Sequence, residues 1–200
     1  MLRSAQKAAC LGIVMKVGKD TDGDWKDDCT YKQKDGTTPM TAIHGYVLAL
    51  YDADSGNTYK WGPNDTNVGT NDASNYFNGY KNTQTIIKYA EDNSKTLKTD
   101  FPATYYATVD YESDYPAPAN SSGWFLPSGG QCRYWHNNSS TLLLAQVRKA
   151  MGNNNYAWKN CWSSSEVGSN YKANCMNFTD GGVFATDKSA THSVRSCLVF

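Results

Sequence analysis

The stretch CWSSSE at residues 161–166 marks a change of pattern near the end of the chain. From this point apolar and polar residues alternate in short runs, which is typical of β-strands. Asp180, Gly181 and Gly182 tolerate the positive φ angles that a tight hairpin turn requires. The C-terminal region is therefore predicted to form four short strands, at residues 161–167, 173–178, 183–186 and 194–200.

Two helices are predicted just before these strands. In the first, at residues 128–135, Ser128 is a suitable N-cap and Gln131 stands at the capping-box position. The second, at residues 141–151, ends at Gly152, because glycine accepts the left-handed conformation of a helix C-terminus. The apolar residues of this second helix form one stripe: Leu143, Leu144, Val147 and Met151.

The N-terminal half of the chain contains the same two kinds of element. Strands are predicted at residues 11–17 and 45–52, and a solvated acidic loop at residues 20–28 lies between them. Residues 78–93 carry apolar side chains at helical spacing. Strands, then helices, then a final antiparallel sheet indicate an α+β fold.

Composition and charge narrow the classes of partner. Lysine and arginine total 19, as do aspartate and glutamate, so the formal net charge is zero. Without a basic stripe we expect no nucleic-acid partner, and without a long apolar run we expect no direct membrane insertion. The 14 tyrosines and 6 tryptophans favour a binding surface, since these residues give large contact area for few torsions.

Three strings occur in order along the C-terminal region: GWFLPS at residues 123–128, WSSSE at 162–166 and VRSCLVF at 194–200. Together they resemble the bacterial C-type-lectin-like domains of the Fibrobacter succinogenes major paralogous type, and the resemblance extends back to about Gly45. It implies a C-type-lectin-like fold with two helices and a C-terminal antiparallel sheet. We expect a single domain over residues 1–200, with an N-terminal decorated half (1–122) and a lectin-like core tail (123–200).

The resemblance also implies which residues belong to the scaffold. Trp162 is expected to anchor the core, and Glu166 to form hydrogen bonds inside the fold with Arg195 as its partner. A buried carboxylate must be paired or protonated, so a structural role is favoured over a catalytic one. The expected scaffold side chains are Trp124, Leu126, Trp162, Glu166, Arg195 and Phe200.

A narrower resemblance is to the variable proteins of diversity-generating retroelements, which randomise adenines in the codons of a C-terminal region. Asparagine and tyrosine residues cluster at about 153–192, and this pattern predicts a diversified, hypervariable binding surface there. Asparagine clusters also populate ordinary loops. The expected ligand-binding residues are Asn153, Asn155, Tyr156, Trp158, Asn160, Ser169, Asn170, Tyr171, Asn174, Thr186, Lys188, Thr191 and His192.

The six cysteines show no C-x-x-C spacing, which argues against a zinc site. Two of them, Cys161 and Cys197, stand where the resembled domains often carry other residues. We therefore expect mostly free or only partly paired thiols.

Other site chemistry is not supported by the sequence. Residues 20–31 place carboxylates at alternate positions, but Trp25 and Tyr31 stand where a calcium loop needs glycine and glutamate. No nucleophile or metalloprotease motif surrounds any of the three histidines. We expect no catalytic residues, no metal site and no cofactor.

Three functions remain open. The first is a ligand-binding receptor-recognition module that contacts a protein or glycan on another cell or host surface, on a bacterial cell or a phage particle. The second is a structural or adhesive cell-surface domain, such as a fimbrial tip subunit, without a diversified site. The third is an enzyme of the sulfatase-activating fold class. No signal peptide is visible, since residues 1–4 are not followed by an apolar h-region. We therefore expect the chain to be intracellular, phage-borne or a piece of a longer exported protein.

Overall fold

A computed structural model of the chain describes residues 9–70, 76–154, 156–157, 159–168, 171–177 and 182–200, with side chains for all of these except 138–143. The fold is α+β, with helices and two antiparallel sheets, as the order of sequence patterns predicts.

The first sheet contains three strands in the order β1-β2-β6. Strand β1 is Gly12–Val17, β2 is Gly45–Ala49 and β6 is Cys197–Val199. Both pairings are antiparallel. The central strand β2 is almost entirely buried, which agrees with its continuous apolar sequence.

Among the described residues, four α-helices lie between β2 and the C-terminal region. The longest is α1, Gly79–Asp92; three short helices follow, α2 at Leu97–Asp100, α3 at Pro102–Tyr105 and α4 at Tyr111–Asp114. A π-helical turn, Tyr106–Asp110, joins the last two. The prediction of a helix at 78–93 is confirmed.

Helix α5 is a single helix, Gly129–Met151, where the sequence predicts two. Its ends are as predicted: Ser128 and Gln131 form a reciprocal capping box, and Gly152 takes the left-handed conformation with φ 67°. The prediction of a break before residue 141 is wrong. Trp135 and Val147 lie on the two sides of the expected break and pack into the same core cluster, so tertiary packing keeps the helix continuous.

The second sheet has the order β3-β4-β5. Its strands are β3, Asn160–Glu166, β4, Lys172–Asn177, and β5, Val183–Asp187, close to the predicted positions. The segment before β6 joins the two sheets, because the Trp162 amide donates to the Ser193 carbonyl (3.0 Å) and the Ser193 amide to the Asn160 carbonyl (3.0 Å). The fourth predicted strand is shorter than expected, since β6 spans Cys197–Val199.

The core consists of two clusters that lie on opposite faces of the sheets. Tyr46 and Leu48 of β2 contribute to one cluster and Ala49 to the other. In β3, Cys161 and Trp162 divide in the same way. Strands β2 and β3 therefore contact core residues on both faces, and Trp162 is fully buried, as its predicted scaffold role requires.

All six cysteines are free, and five of them are buried. This confirms the prediction of mostly unpaired thiols. In the part of the chain that the structure describes, no helix combines the length and the apolar character that a membrane span requires.

Candidate functional site

Glu166 occupies a cradle of hydrogen bonds inside the fold. Its carboxylate accepts the backbone amides of Val68 (3.0 Å), Gly69 (2.9 Å) and Thr70 (2.9 Å). Lys188 is its counter-ion, with Nζ 2.5 Å from Oε1. Burial alone would raise the pKa of Glu166, but the hydrogen bonds from Lys188 and from the amides outweigh burial and hold it below its ordinary value.

Arg195 has a different counter-ion from the predicted one. Its guanidinium lies 2.8 Å from the Asp52 carboxylate and also donates to the Ala49 carbonyl (3.0 Å). The expectation that Arg195 pairs with Glu166 is wrong, because the pairing of β6 with β2 brings Arg195 to the end of β2, where Asp52 lies. Lys188 therefore neutralises the buried charge of Glu166, and Asp52 neutralises that of Arg195.

The Asp52–Arg195 pair also holds Tyr156, which is one of the predicted ligand-binding residues. The Tyr156 hydroxyl contacts the Arg195 guanidinium and lies 3.3 Å from the Asp52 carboxylate. Its ring is half-buried and packs against the core. Through these two contacts, Tyr156 connects the segment after α5 to the end of the first sheet.

Lys188, which the sequence predicts to be a ligand-binding residue, does not lie on the surface. Its side chain is fully buried, and besides Glu166 it donates to the Thr66 carbonyl and lies 4.7 Å from the centroid of the Trp61 ring. The expectation of a surface position for Lys188 is wrong, because the buried Glu166 carboxylate requires a cation beside it.

Asn174 and Thr186 lie on opposite faces of the second sheet. In the register of β4 and β5, Asn174 pairs with Ala185 and Ala173 with Thr186, and neighbouring residues of a strand point to opposite faces. Asn174 packs beside Gly129 at the start of α5. These two predicted site residues therefore do not share one surface.

Four predicted site residues are exposed, and four lie outside the described residues. The exposed residues are Asn153, Asn160, Tyr171 and Thr191. The residues outside the described part of the chain are Asn155, Trp158, Ser169 and Asn170.

The last predicted residue, His192, belongs to a group of half-buried aromatic residues that we call the aromatic surface: Tyr59, Tyr106, Phe184 and His192. The backbones of Tyr59 and His192 exchange hydrogen bonds of 2.9 and 3.1 Å, which places their side chains on the same side. The Tyr59 and Tyr106 rings stack with centroids 3.6 Å apart. Burial lowers the pKa of His192, so its ring is neutral at neutral pH.

A strained turn borders the aromatic surface. Asp54 and Ser55 have positive φ angles, 42° and 55°, and Gly56 follows with 81°. The Asp54 carboxylate accepts hydrogen bonds from Asn57 and Tyr59, which lower the pKa of Asp54. Positive φ angles at consecutive residues other than glycine occur where the surroundings enforce them.

A polar groove of about 860 Å³ lies on another part of the molecule, between α1 and the segment at residues 28–36. Residues at helical spacing on α1 form one wall, and they include Lys81, Gln84 and Lys88. From the sequence alone such a polar stripe is typical of a solvated helix face. The other wall carries Lys32 and Lys34, and no pattern in the sequence indicates that the two walls face each other.

No protein-family model matches the chain. Over 158 residues it is 28% identical to a Bacteroides ovatus protein named "Putative fimbrium tip subunit Fim1C", and the alignment covers 62% of this chain and 28% of that protein. The fold is also similar to the crystal structure of a fimbrial protein from Bacteroides ovatus, with a TM-score of 0.67 and 22% sequence identity over 97% of this chain. The chain spans 44% of that structure and 28% of the curated relative, less than half of either.

Sequence reasoning missed Tyr59, Tyr106 and the groove. Each depends on segments that meet only in the folded chain, since Tyr59 and its backbone partner His192 lie far apart in the sequence. The Tyr- and Asn-rich composition favoured a binding surface but did not locate it.

Proposed function

We propose that this chain is an adhesive domain of a cell-surface fimbrial subunit, and that it is not an enzyme. The observation that carries the proposal is the 28% identity, over 158 residues, to a protein named as a fimbrium tip subunit. The fold similarity to a fimbrial protein from the same species supports it. A cell-surface, extracellular location follows from the same proposal.

The chemistry of the buried thiols supports a non-enzymatic role. Desolvation raises the pKa of Cys175 to about 12, and it raises the pKa values of Cys132, Cys161 and Cys197 still further. A protonated thiol is a poor nucleophile, so these side chains do not provide the reactive cysteine that a sulfatase-activating enzyme would need. The buried side chains of Glu166 and Arg195 likewise form ion pairs inside the fold, with Lys188 and Asp52.

The lectin-like architecture is part of the proposal. The WSSSE string forms β3 with Trp162 buried in the core, and the GWFLPS string leads through its Ser128 cap into α5. These two placements support a lectin-like architecture for residues 123–200, although Arg195 pairs with Asp52 and not with Glu166. The whole of residues 1–200 is proposed as one such domain.

We favour a binding surface without diversification. Tyr156 and Lys188, both at positions expected to vary, hold buried charges in place. Randomising Tyr156 would remove one hydrogen-bond partner of Arg195, and randomising Lys188 would remove the counter-ion of Glu166, each at a cost in stability. The neighbouring DNA tests this: a near-copy of the coding sequence for 153–192 that differs only at adenines would overturn it.

Cell adhesion tests the adhesive role. Beads coated with the full chain should adhere to host epithelial or bacterial cells, and Tyr171→Ser should weaken adhesion because Tyr171 is an aromatic side chain that is 51% exposed. Val109→Ser is the matched control, since Val109 is 53% exposed and lies outside the tail. Beads that adhere no better than albumin-coated beads across a panel of cells would contradict the proposal.

A further inference from the structure

The groove between α1 and the segment at 28–36 has a fixed wall. Asp35 accepts the amides of Thr37 and Thr38, each at 2.8 Å, and these bonds lower the pKa of Asp35 to about 2. The Lys34 amide donates to the Ser121 carbonyl (2.7 Å) and the Lys34 ammonium to the Ala117 carbonyl (3.3 Å). Because these hydrogen bonds already order the wall, it loses little conformational entropy when a ligand binds.

Two lysines of the groove carry an uncompensated positive charge. Lys34 pairs with Glu112, and Lys88 pairs with Asp92 at 2.9 Å. Among the described residues, none supplies a counter-ion to Lys32 or to Lys81, which are both exposed. The groove therefore attracts anions although the whole chain is neutral.

The floor of the groove presents a hydrogen-bond donor. Tyr80 is 8% exposed, lines the groove and accepts the Lys32 amide at 3.4 Å. Its own O–H has no acceptor among the described residues, and burial raises the pKa of Tyr80, so the proton is retained. A buried donor of this kind is satisfied when a ligand oxygen reaches it.

We propose that this groove binds an acidic oligosaccharide, with a sugar carboxylate held between Lys32 and Lys81 and a ring hydroxyl accepting from Tyr80. The inference rests on the proposed adhesive function and adds to it a ligand class and a contact surface separate from the exposed Tyr171. The groove volume of about 860 Å³ is large enough for a few sugar rings.

The lining favours a sugar over an acidic peptide. Amide and hydroxyl side chains, among them Gln33, Gln84 and Thr85, line the groove and match the hydroxyl groups of a sugar. Apart from the tyrosine rings, Val68 is the one large apolar side chain in the described lining. A peptide ligand needs pockets for side-chain anchors, which this lining does not supply.

Two ligands that share a sugar backbone, one with charged carboxylates and one with neutral methyl esters, test the proposal. Calorimetry with the full chain should show binding of a short oligogalacturonate and binding at least tenfold weaker of its methyl ester. Lys32→Gln with Lys81→Gln should lower affinity for the acid by roughly tenfold, since each exposed ion contact contributes a modest amount. Lys60→Gln with Lys149→Gln removes the same charge from exposed lysines outside the groove and should leave affinity unchanged.

The outcomes separate this inference from the adhesive proposal. Equal affinity for acid and ester, equal loss in the two double variants, or binding of polyglutamate alone would overturn the inference. Coated beads that adhere to cells equally well with and without Lys32 and Lys81 would overturn it while leaving the adhesive function intact. Absence of any adhesion by the wild-type chain would instead contradict the adhesive function.

Discussion

Lys188 and Glu166 form an ion pair in which the lysine side chain is fully buried and the glutamate side chain is 3% exposed. The Val68, Gly69 and Thr70 amides complete the coordination of the carboxylate. The pair thus connects the second sheet to the segment before α1. A charge in such a place depends entirely on its partners, because water cannot replace them.

Removing one member of this pair should strongly destabilise the fold. Lys188→Met leaves the carboxylate buried without a cation, so we expect the free energy of unfolding to fall by about 3–5 kcal/mol. Glu166→Ala should have a comparable effect. Urea denaturation measures both, with exposed Lys149→Met as the control. An unchanged urea denaturation curve for either variant would show that the pair is not structural.

The same pair predicts how stability depends on pH. The pKa of Glu166 in the folded chain lies below its ordinary value of 4.5. Its contribution is therefore fully present above that ordinary value and is lost as the pH falls through the lower folded pKa. The stability of the wild type should decline more steeply below about pH 4 than that of Glu166→Gln. Denaturation at several pH values compares the two slopes, and parallel slopes would contradict the assignment.

Sequence reasoning located elements better than it located partners. The cap at Ser128, the stop at Gly152 and the strand predicted at residues 161–167 depend on local chemistry. The two helix ends are where the sequence predicts them, and the strand is displaced by one residue, to Asn160–Glu166. The ion pair of Arg195 with Asp52 joins residues 143 positions apart and depends on which strands pair. Composition alone could not choose between Asp52 and Glu166 as the partner.

The sequence also predicted only some of the exposed side chains of the candidate site, for a different reason. Asparagine- and tyrosine-rich positions of the tail are exposed at Asn160 and Tyr171, but Tyr156 is bonded to a buried ion pair. A tyrosine has an apolar ring and a polar tip, so it serves equally well at a surface and beside a buried charge. Residue type therefore does not distinguish a ligand contact from an internal bond.

Tyr156 and Tyr171 should respond differently to loss of the hydroxyl. Tyr156→Phe removes the hydroxyl that accepts a hydrogen bond from the Arg195 guanidinium, so we expect a loss of roughly 1.5–3 kcal/mol in the free energy of unfolding. Tyr171→Phe is the matched control, since that ring is 51% exposed and should change stability by under about 0.5 kcal/mol. Equal stabilities of the two variants would show that the contact with Arg195 contributes nothing.

The six thiols should differ in reactivity in the native chain. Cys10 is partly exposed, whereas the other five are buried, and desolvation raises the pKa of Cys29 well beyond the ordinary range of a thiol. A thiol reagent added to the native chain without reductant should modify Cys10 rapidly and the remainder only at the rate of unfolding. In denaturant, all six should react. Cys10→Ser is the control that should abolish the rapid phase.

Two outcomes would contradict this prediction. If only four or two thiols react in denaturant, the chain contains a disulfide and the free-thiol structure is wrong. If several thiols react rapidly in the native chain, the two core clusters open far more readily than their burial implies.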